Sequence, residues 1–313
     1  MSTMTRAITT SAVPGRRAKV KRERYRYNTR AGKVFDVFNV VLLTAIGLVA
    51  LFPFVFVVVR SFASETQLAS SAFFLWPKEF TFEAYDSIFS TPAFPRALIT
   101  TVLVTAVGTI IQLFLTVLMA YPLSKKGLPG RNVIMSGVVF AMVFSGGMIP
   151  TFLIVKDLGL LNNYLALILP MAIDPFSLII IKNFFQNLPG ELEEAARVDG
   201  ASDFGVFWRV ALPLSKPVLA TFALFYAVAI WNDYMSPLLY LNDSSMWTLQ
   251  MFLRQVTSAS TLQTAQQDQP GFVAPSEAVK YAVVVVATIP VLIFYPFLQK
   301  HFAKGMLIGA VKG

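Results

Sequence analysis

Six apolar runs, each about as long as a bilayer is thick, limit what this chain can fold into more than any other feature. They are Phe35–Val59, Ala97–Tyr121, Val133–Val155, Tyr164–Ile181, Val218–Ser236 and Tyr281–Leu298. Roughly 20 consecutive apolar residues let a helix cross the hydrocarbon core. A soluble helix of that length needs a charged face, and most of these runs have none. The balance of the whole chain agrees: 56% of residues are hydrophobic and 14% charged, where soluble domains carry about a quarter charged. The runs predict an all-α integral membrane protein with six transmembrane helices. Pro53, Pro150, Pro170, Pro175 and Pro290 lie inside or near them. Prolines in membrane helices predict kinks, and hence a bundle with an internal pathway.

Lys and Arg set the orientation. With six spans, twenty of the 26 fall on one side. Ten are in residues 1–34, including RRAKVKRERYR at Arg16–Arg26, and three (Lys125, Lys126 and Arg131) follow the second run. Lys182, Arg197, Arg209, Lys216, Lys300, Lys304 and Lys312 complete the set. The positive-inside rule places that side, with both termini, in the cytoplasm. The layout is a basic tail at 1–34, a membrane domain at 35–300 and a short tail at 301–313. Within the domain, a cytoplasmic loop covers 186–216 and long external loops cover 60–96 and 237–280. The net charge of +9 is thereby a topology signal, not the mark of a nucleic-acid partner. For the N-terminal run a second reading, contact with anionic lipid headgroups, stands beside that of a plain anchor. No cleavage pattern precedes the first run, which reads as an uncleaved span. Thr257–Glu277 is polar and rich in turn formers, a flexible connector or a contact for an external partner. The chain has no Cys and one His, His301, so thiolate metal sites, cysteine nucleophiles and histidine-based triads are excluded.

One polar stretch, ELEEAARVDGASDFGVFWRVALPLSKP at Glu191–Pro217, interrupts the apolar pattern. Pro189 fits a first helical turn, and Glu191, Glu193 and Glu194 complement the dipole at that end. Ala195 and Ala196 favour helix, Gly200 suits a left-handed stop, and Ser202 or Asp203 caps a second helix. Phe204, Phe207, Trp208 and Ala211 then fall on one apolar stripe. Pro213 is expected to end that helix and Pro217 to open the fifth span. The result is a helix-turn-helix outside the bilayer. An interfacial helix is usually basic on its polar face, whereas this leading half is acidic and smooth, which favours docking to protein over resting on lipid.

Glu194–Pro213 resembles the EAA motif of permease subunits of bacterial binding-protein-dependent ABC importers: Glu-Ala-Ala, three residues, Gly, nine residues, an aliphatic, one residue, Leu-Pro. Val210 stands where isoleucine is commoner. Phe73–Tyr85, Ala120–Lys126, Phe184–Ala196 and Gly305–Gly313 are similar to the carbohydrate (MalG-like) branch. Phe144–Pro170 is closer to its LplC-like oligosaccharide subset. Ile99 departs from the asparagine common in the family near the start of the second span.

The resemblance implies a type I ABC importer permease fold in a bacterial cell membrane. It implies two ABC ATPase subunits, a second homologous permease and an extracellular or periplasmic solute-binding protein as partners. It gives ATPase coupling to Glu194, Ala195, Ala196, Asp199, Gly200, Ala201, Phe204, Trp208, Leu212 and Pro213. Glu194 is expected to pair with a basic residue of the ATPase. The chain contains no G-x-x-x-x-G-K-[ST] phosphate loop, so ATP and Mg are expected on the partner and no cofactor, catalytic set or metal here. Ionisable groups inside spans call for a reason. Asp174, in the fourth run, either lines a pathway or serves as helix cap or inter-helix glue. Trp231, Asn232, Asp233 and Tyr234 either offer stacking and hydrogen bonds to sugar hydroxyls or anchor the fifth span at the outer headgroups. Two further functions remain open on sequence alone. An ion-gradient transporter would need internal repeats, of which none is convincing. A membrane anchor would leave the prolines without a purpose.

Overall fold

The computed structural model describes residues 30–71, 73–258 and 276–310, without the side chains of 30, 31 and 294–310. The tail 1–29, Ala72, most of the loop Thr257–Glu277 and the last three residues lie outside that set. Among the described residues the chain is helical, with a single isolated bridge between Ala63 and Phe80. Contacts divide it into two units, 1–53 and 54–313. The first contributes the start of α1 (Arg30–Ser61), whose side chains from Lys33 to Pro53 are all exposed.

In the second unit, α2 (Glu65–Ser70) and α3 (Glu83–Ser90) lead into α4 (Ala93–Ser124). At 1.5 Å per residue the 32 residues of α4 extend about 48 Å. The third apolar run forms two helices, α5 (Arg131–Val143) and α6 (Met148–Asp157), bent by 117°. Here the expectation of a kink is corrected to a break. Gly147 at φ 86° takes a conformation open mainly to glycine, and no i→i−4 ladder continues through Ser145–Gly147. The fourth run also breaks, by 56°, between α7 (Leu165–Ile168, continued by a 3₁₀ turn to Met171) and α8 (Pro175–Gln186). Pro175 sits in the first turn of α8, where its missing N–H does no harm.

Next come two short helices, α9 (Gly190–Val198) and α10 (Asp203–Val206), then α11 (Leu212–Asn232). Beyond it lie α12 (Met235–Tyr240), α13 (Leu249–Ser258) and α14 (Glu277–Ala310). Among the described residues, three helices are long and apolar enough to cross a membrane. The number rises to five if each bent pair is one span.

The centre of the unit is α4 against α11 and α8. Gly108 makes the first contact possible: a Cβ there would meet Ile230 Cδ1 at 2.8 Å. One turn-pair further on, the buried hydroxyls of Thr116 and Tyr226 hydrogen-bond across the same interface at 3.1 Å. The two ends of α4 lie in different surroundings. Its N-terminal end, through Phe94 with Leu98 packed alongside, joins α2, α3, α13 and α14 in one apolar cluster. Its C-terminal end, through Tyr121 and Leu123, joins α8 and the segment after α10.

Candidate functional site

The polar interruption folds as its local sequence directs. Glu191 and Glu193 occupy the first turn of α9 and Arg197 the last, each complementing the helix dipole. Gly200, at φ 85°, stops the helix. Ala201 N–H donates to Ala196 O at 2.9 Å and Gly200 N–H to Arg197 O at 3.0 Å, the paired bonds of a Schellman stop. Ser202 then caps α10 by accepting from Gly205 N–H at 3.2 Å.

Two expectations are corrected past that point. Pro213 does not end the helix. A π turn, Phe207–Ala211, carries α10 directly into α11, so that 203–232 is one helix with Pro213 in the first turn of α11 and Pro217 within it. A π turn leaves room where a regular ladder would collide with the proline ring. The apolar stripe also divides. Phe207 and Ala211 are buried, while Phe204 and Trp208 are exposed and stacked on each other at 6.2 Å.

The coupling residues predicted from sequence lie on α9, its turn, α10 and the start of α11. Glu194, Ala195, Asp199, Gly200, Phe204, Trp208 and Pro213 are exposed; Ala196, Ala201 and Leu212 are half-buried. Val198, 88% exposed, stands at the tip of the turn. Behind this surface lies a set that sequence reasoning missed. Glu193 is 7% exposed and faces inward. Its carboxylate accepts from Lys125, the residue just past α4, at both oxygens. Arg197 stands 4.0 Å from Glu193 and 3.2 Å from Asp203, closing the chain of charges across the α9–α10 turn. The Lys125 ammonium also lies 4.5 Å from the centre of the Tyr121 ring. Tyr121 in turn touches Phe207 at 4.8 Å and Phe185 at 5.5 Å. Beside these contacts a cavity of about 520 Å³ opens, lined by Leu118, Tyr121, Lys125, Arg197, Asp203 and Phe207 among others. No spacing rule links Lys125 to a residue 68 positions later, so the sequence held no local signal for the pair.

The residues expected on a solute pathway are not brought together as one group. Asp174 caps α8, accepting from Ser177 N–H at 2.7 Å and from its hydroxyl at 2.5 Å. Trp231 is 5% exposed within the apolar cluster at the N-terminal end of α4. Asn232 donates to Val228 O of its own helix. Tyr234 lies under Arg254, whose guanidinium is 4.9 Å from the ring centre. Asp233 terminates α11, accepting from Met235 and Ser236 N–H at 3.0 and 3.1 Å, and lines a small void with Thr101, Thr105 and Thr248. Near the departure at Ile99, Thr101 supplies a buried polar link: it donates to Ala97 O and accepts from Leu249 N–H at 2.7 Å, fixing α13 to α4.

Residues 112–308, which include the whole helix-turn-helix, match the family described as binding-protein-dependent transport system inner membrane component. The chain belongs to this family. The permease is 59% identical over 288 residues to Protein LplC of Bacillus subtilis (strain 168), covering 92% of this chain and 98% of that one. It is 50% identical over 283 residues to the polygalacturonan/rhamnogalacturonan transport system permease protein YtcP of the same organism, covering 90% and 99%. Among solved structures, it is similar to a chain of a bacterial ABC transporter involved in the import of the acidic polysaccharide alginate. The TM-score there is 0.79, with 33% identity and coverage of 88% and 99%. The permease is thus a membrane component of a transport system and not itself a catalytic enzyme.

Proposed function

We propose that this permease is one of two homologous membrane subunits of an ATP-driven importer, and that it carries an oligosaccharide delivered by an external solute-binding protein. The observation that carries this reading is the exposed face of α9 and its turn: the carboxylates Glu194 and Asp199, small side chains and an apolar tip. It is held by a helix stop and a cap outside the apolar bundle, in a chain with no phosphate loop of its own. Such a face suits a cleft on a partner that supplies energy. The length of α14, beside the three long helices and the two bent pairs, supports a six-span reading. The basic excess at 1–34 and around α9 supports a cytoplasmic side for both termini and the docking face.

ATP and Mg are held by the two ATPase subunits and supply the driving force there. Closure of the ATPase pair displaces α9 and α10. Because α10 continues into α11, the displacement reaches the bundle along one helix. The spans pass from inward-open to outward-open, and solute affinity differs between the two states, which is what separates transport from binding. Asp233 and Tyr234, at the end of α11, are the pathway residues we favour. Asp174 contributes by fixing the start of α8, and Trp231 by packing. The relatives named for rhamnogalacturonan and alginate support an oligosaccharide cargo.

The test is co-purification of the permease with its ATPase and second permease, followed by ATP hydrolysis with and without the binding protein and candidate oligosaccharides, neutral and acidic. Stimulation is expected, and its loss in Glu194→Ala with assembly intact. Uptake by the chain alone, in ATP-free vesicles under an ion gradient, would overturn the reading.

A further inference from the structure

Two adjacent glutamates of α9 face opposite ways. Glu194 points outward and is exposed, while Glu193 is 7% exposed and turned toward the bundle. The outward one belongs to the docking face. The inward one is tied mainly to Lys125, which reaches both of its oxygens, while Arg197 of its own helix stands farther off at 4.0 Å. Lys125 is the C-cap of α4, tied down by its own N–H to Pro122 O at 3.0 Å. Its ammonium is held further by the Tyr121 ring, one turn earlier on α4.

Around this link the coupling segment is poorly filled. α9 packs against α10 and the π turn. The cavity of about 520 Å³ occupies the space between the end of α4, the 127–129 loop and α10. The segment meets the end of α4 at the apolar Tyr121–Phe207 contact by the π turn and, beyond it, at the Lys125–Glu193 pair. A body attached at two points beside an open space pivots about the stiffer one. The stiffer one is the buried ring contact, continuous with Phe185, Ala211 and Phe222 in one apolar cluster. The ion pair is the other arm.

We propose that Lys125 and Glu193 are positioning residues of the transport cycle: a strut that delivers displacement of α9 to α4, in parallel with the continuous helix that delivers it to α11. The proposal rests on the importer reading above. Moving both helices together matters because α4 and α11 form the central contact of the unit, with Gly108 closed upon Ile230. Shifting one without the other breaks that contact.

The experiment uses the full importer in lipid nanodiscs: this permease, its partner permease and the ATPases, with the solute-binding protein added. Lys125→Glu and Glu193→Lys are expected to keep the ATPases bound and basal hydrolysis running. Each should lower the stimulation by binding protein about tenfold, the usual size of a coupling between distant sites. The charge-swapped double variant is expected to restore most of it, which a general loss of folding would not. Hydrogen exchange at the α9 amides should rise in the single variants and fall back in the swap. Unchanged stimulation in the single variants, or a swap that restores exchange protection without restoring stimulation, overturns the strut. If the wild-type permease retains no ATPase at all, the importer reading itself fails, and that outcome is visible before any variant is made.

Discussion

The two ends of α4 are built on different principles. At its N-terminal end, Phe94 is fully buried among Ala63, Leu68, Ile88, Trp231, Leu249 and Val283. Nearby the Arg60 guanidinium lies within 4.9–5.3 Å of the ring centres of Phe56, Phe74 and Tyr281. Tyr85 bonds Ser61 at 2.7 Å, and burial holds its hydroxyl above the ordinary tyrosine range despite that bond. At the C-terminal end the side toward α8 is packed as well, with Ala120 and Leu123 buried beside Ile181 and Phe185, but the side toward α9 and α10 carries a charged contact, with the Lys125 side chain 33% exposed, beside an open cavity. Dense apolar packing tolerates little displacement without losing contacts, whereas a charge pair over a void keeps its attraction through small shifts. One end is made to hold its shape and the other to be pushed.

That contrast can be broken at several points. The largest effect is expected from Phe94→Ala, which empties a fully buried ring site. Unfolding in detergent should shift by about 3–5 kcal/mol, and a loss below ~1 kcal/mol would show that this end is looser than it looks. Arg60→Leu removes the cation from its aromatic surround at a cost of about 1–2 kcal/mol. That cost should persist in about 1 M salt, because a buried contact escapes a screening length of about 3 Å. Gly200→Ala forces a side chain into the left-handed region at a cost of about 1 kcal/mol. Its larger consequence should be a misplaced docking face, read as weakened retention of the ATPase on co-purification. Smallest in stability is Glu194→Ala, within about 0.5 kcal/mol as for other exposed substitutions, yet it should abolish stimulated hydrolysis. Finally, high salt should lower stimulated hydrolysis more than thermal stability, since the pair that carries the push is partly exposed and the core that resists it is not.

What could be read ahead of the structure followed the range of the forces involved. The stop at Gly200 and the cap at Ser202 depend on residues within five positions of each other, and each appears as the spacing demanded. Asp174 makes the capping bond that its place before Pro175 allows. The pairing of Lys125 with Glu193, the burial of Trp231 and the link from Thr101 to Leu249 arise only when distant helices meet, and nothing local marks them. Pro213 shows a third case. The rule that proline stops a helix is sound for a regular ladder, but the π turn before it removes the collision on which the rule depends. At Gly146–Gly147 the local signal is present, but neither glycine adds polarity, so the break is hidden within an apolar run.

The π turn at Phe207–Ala211 also makes this helix unevenly tolerant of changes in length. It holds one residue more than a regular helix would over the same rise. Deleting a single residue there relaxes the turn into ordinary helix and leaves everything beyond it in phase. Deleting one between Leu212 and Phe225 turns the remainder of α11 by about 100°, carrying Tyr226 away from Thr116 and Ile230 away from Gly108. A scan of single-residue deletions along 207–225 should therefore find its tolerated positions clustered in those five residues.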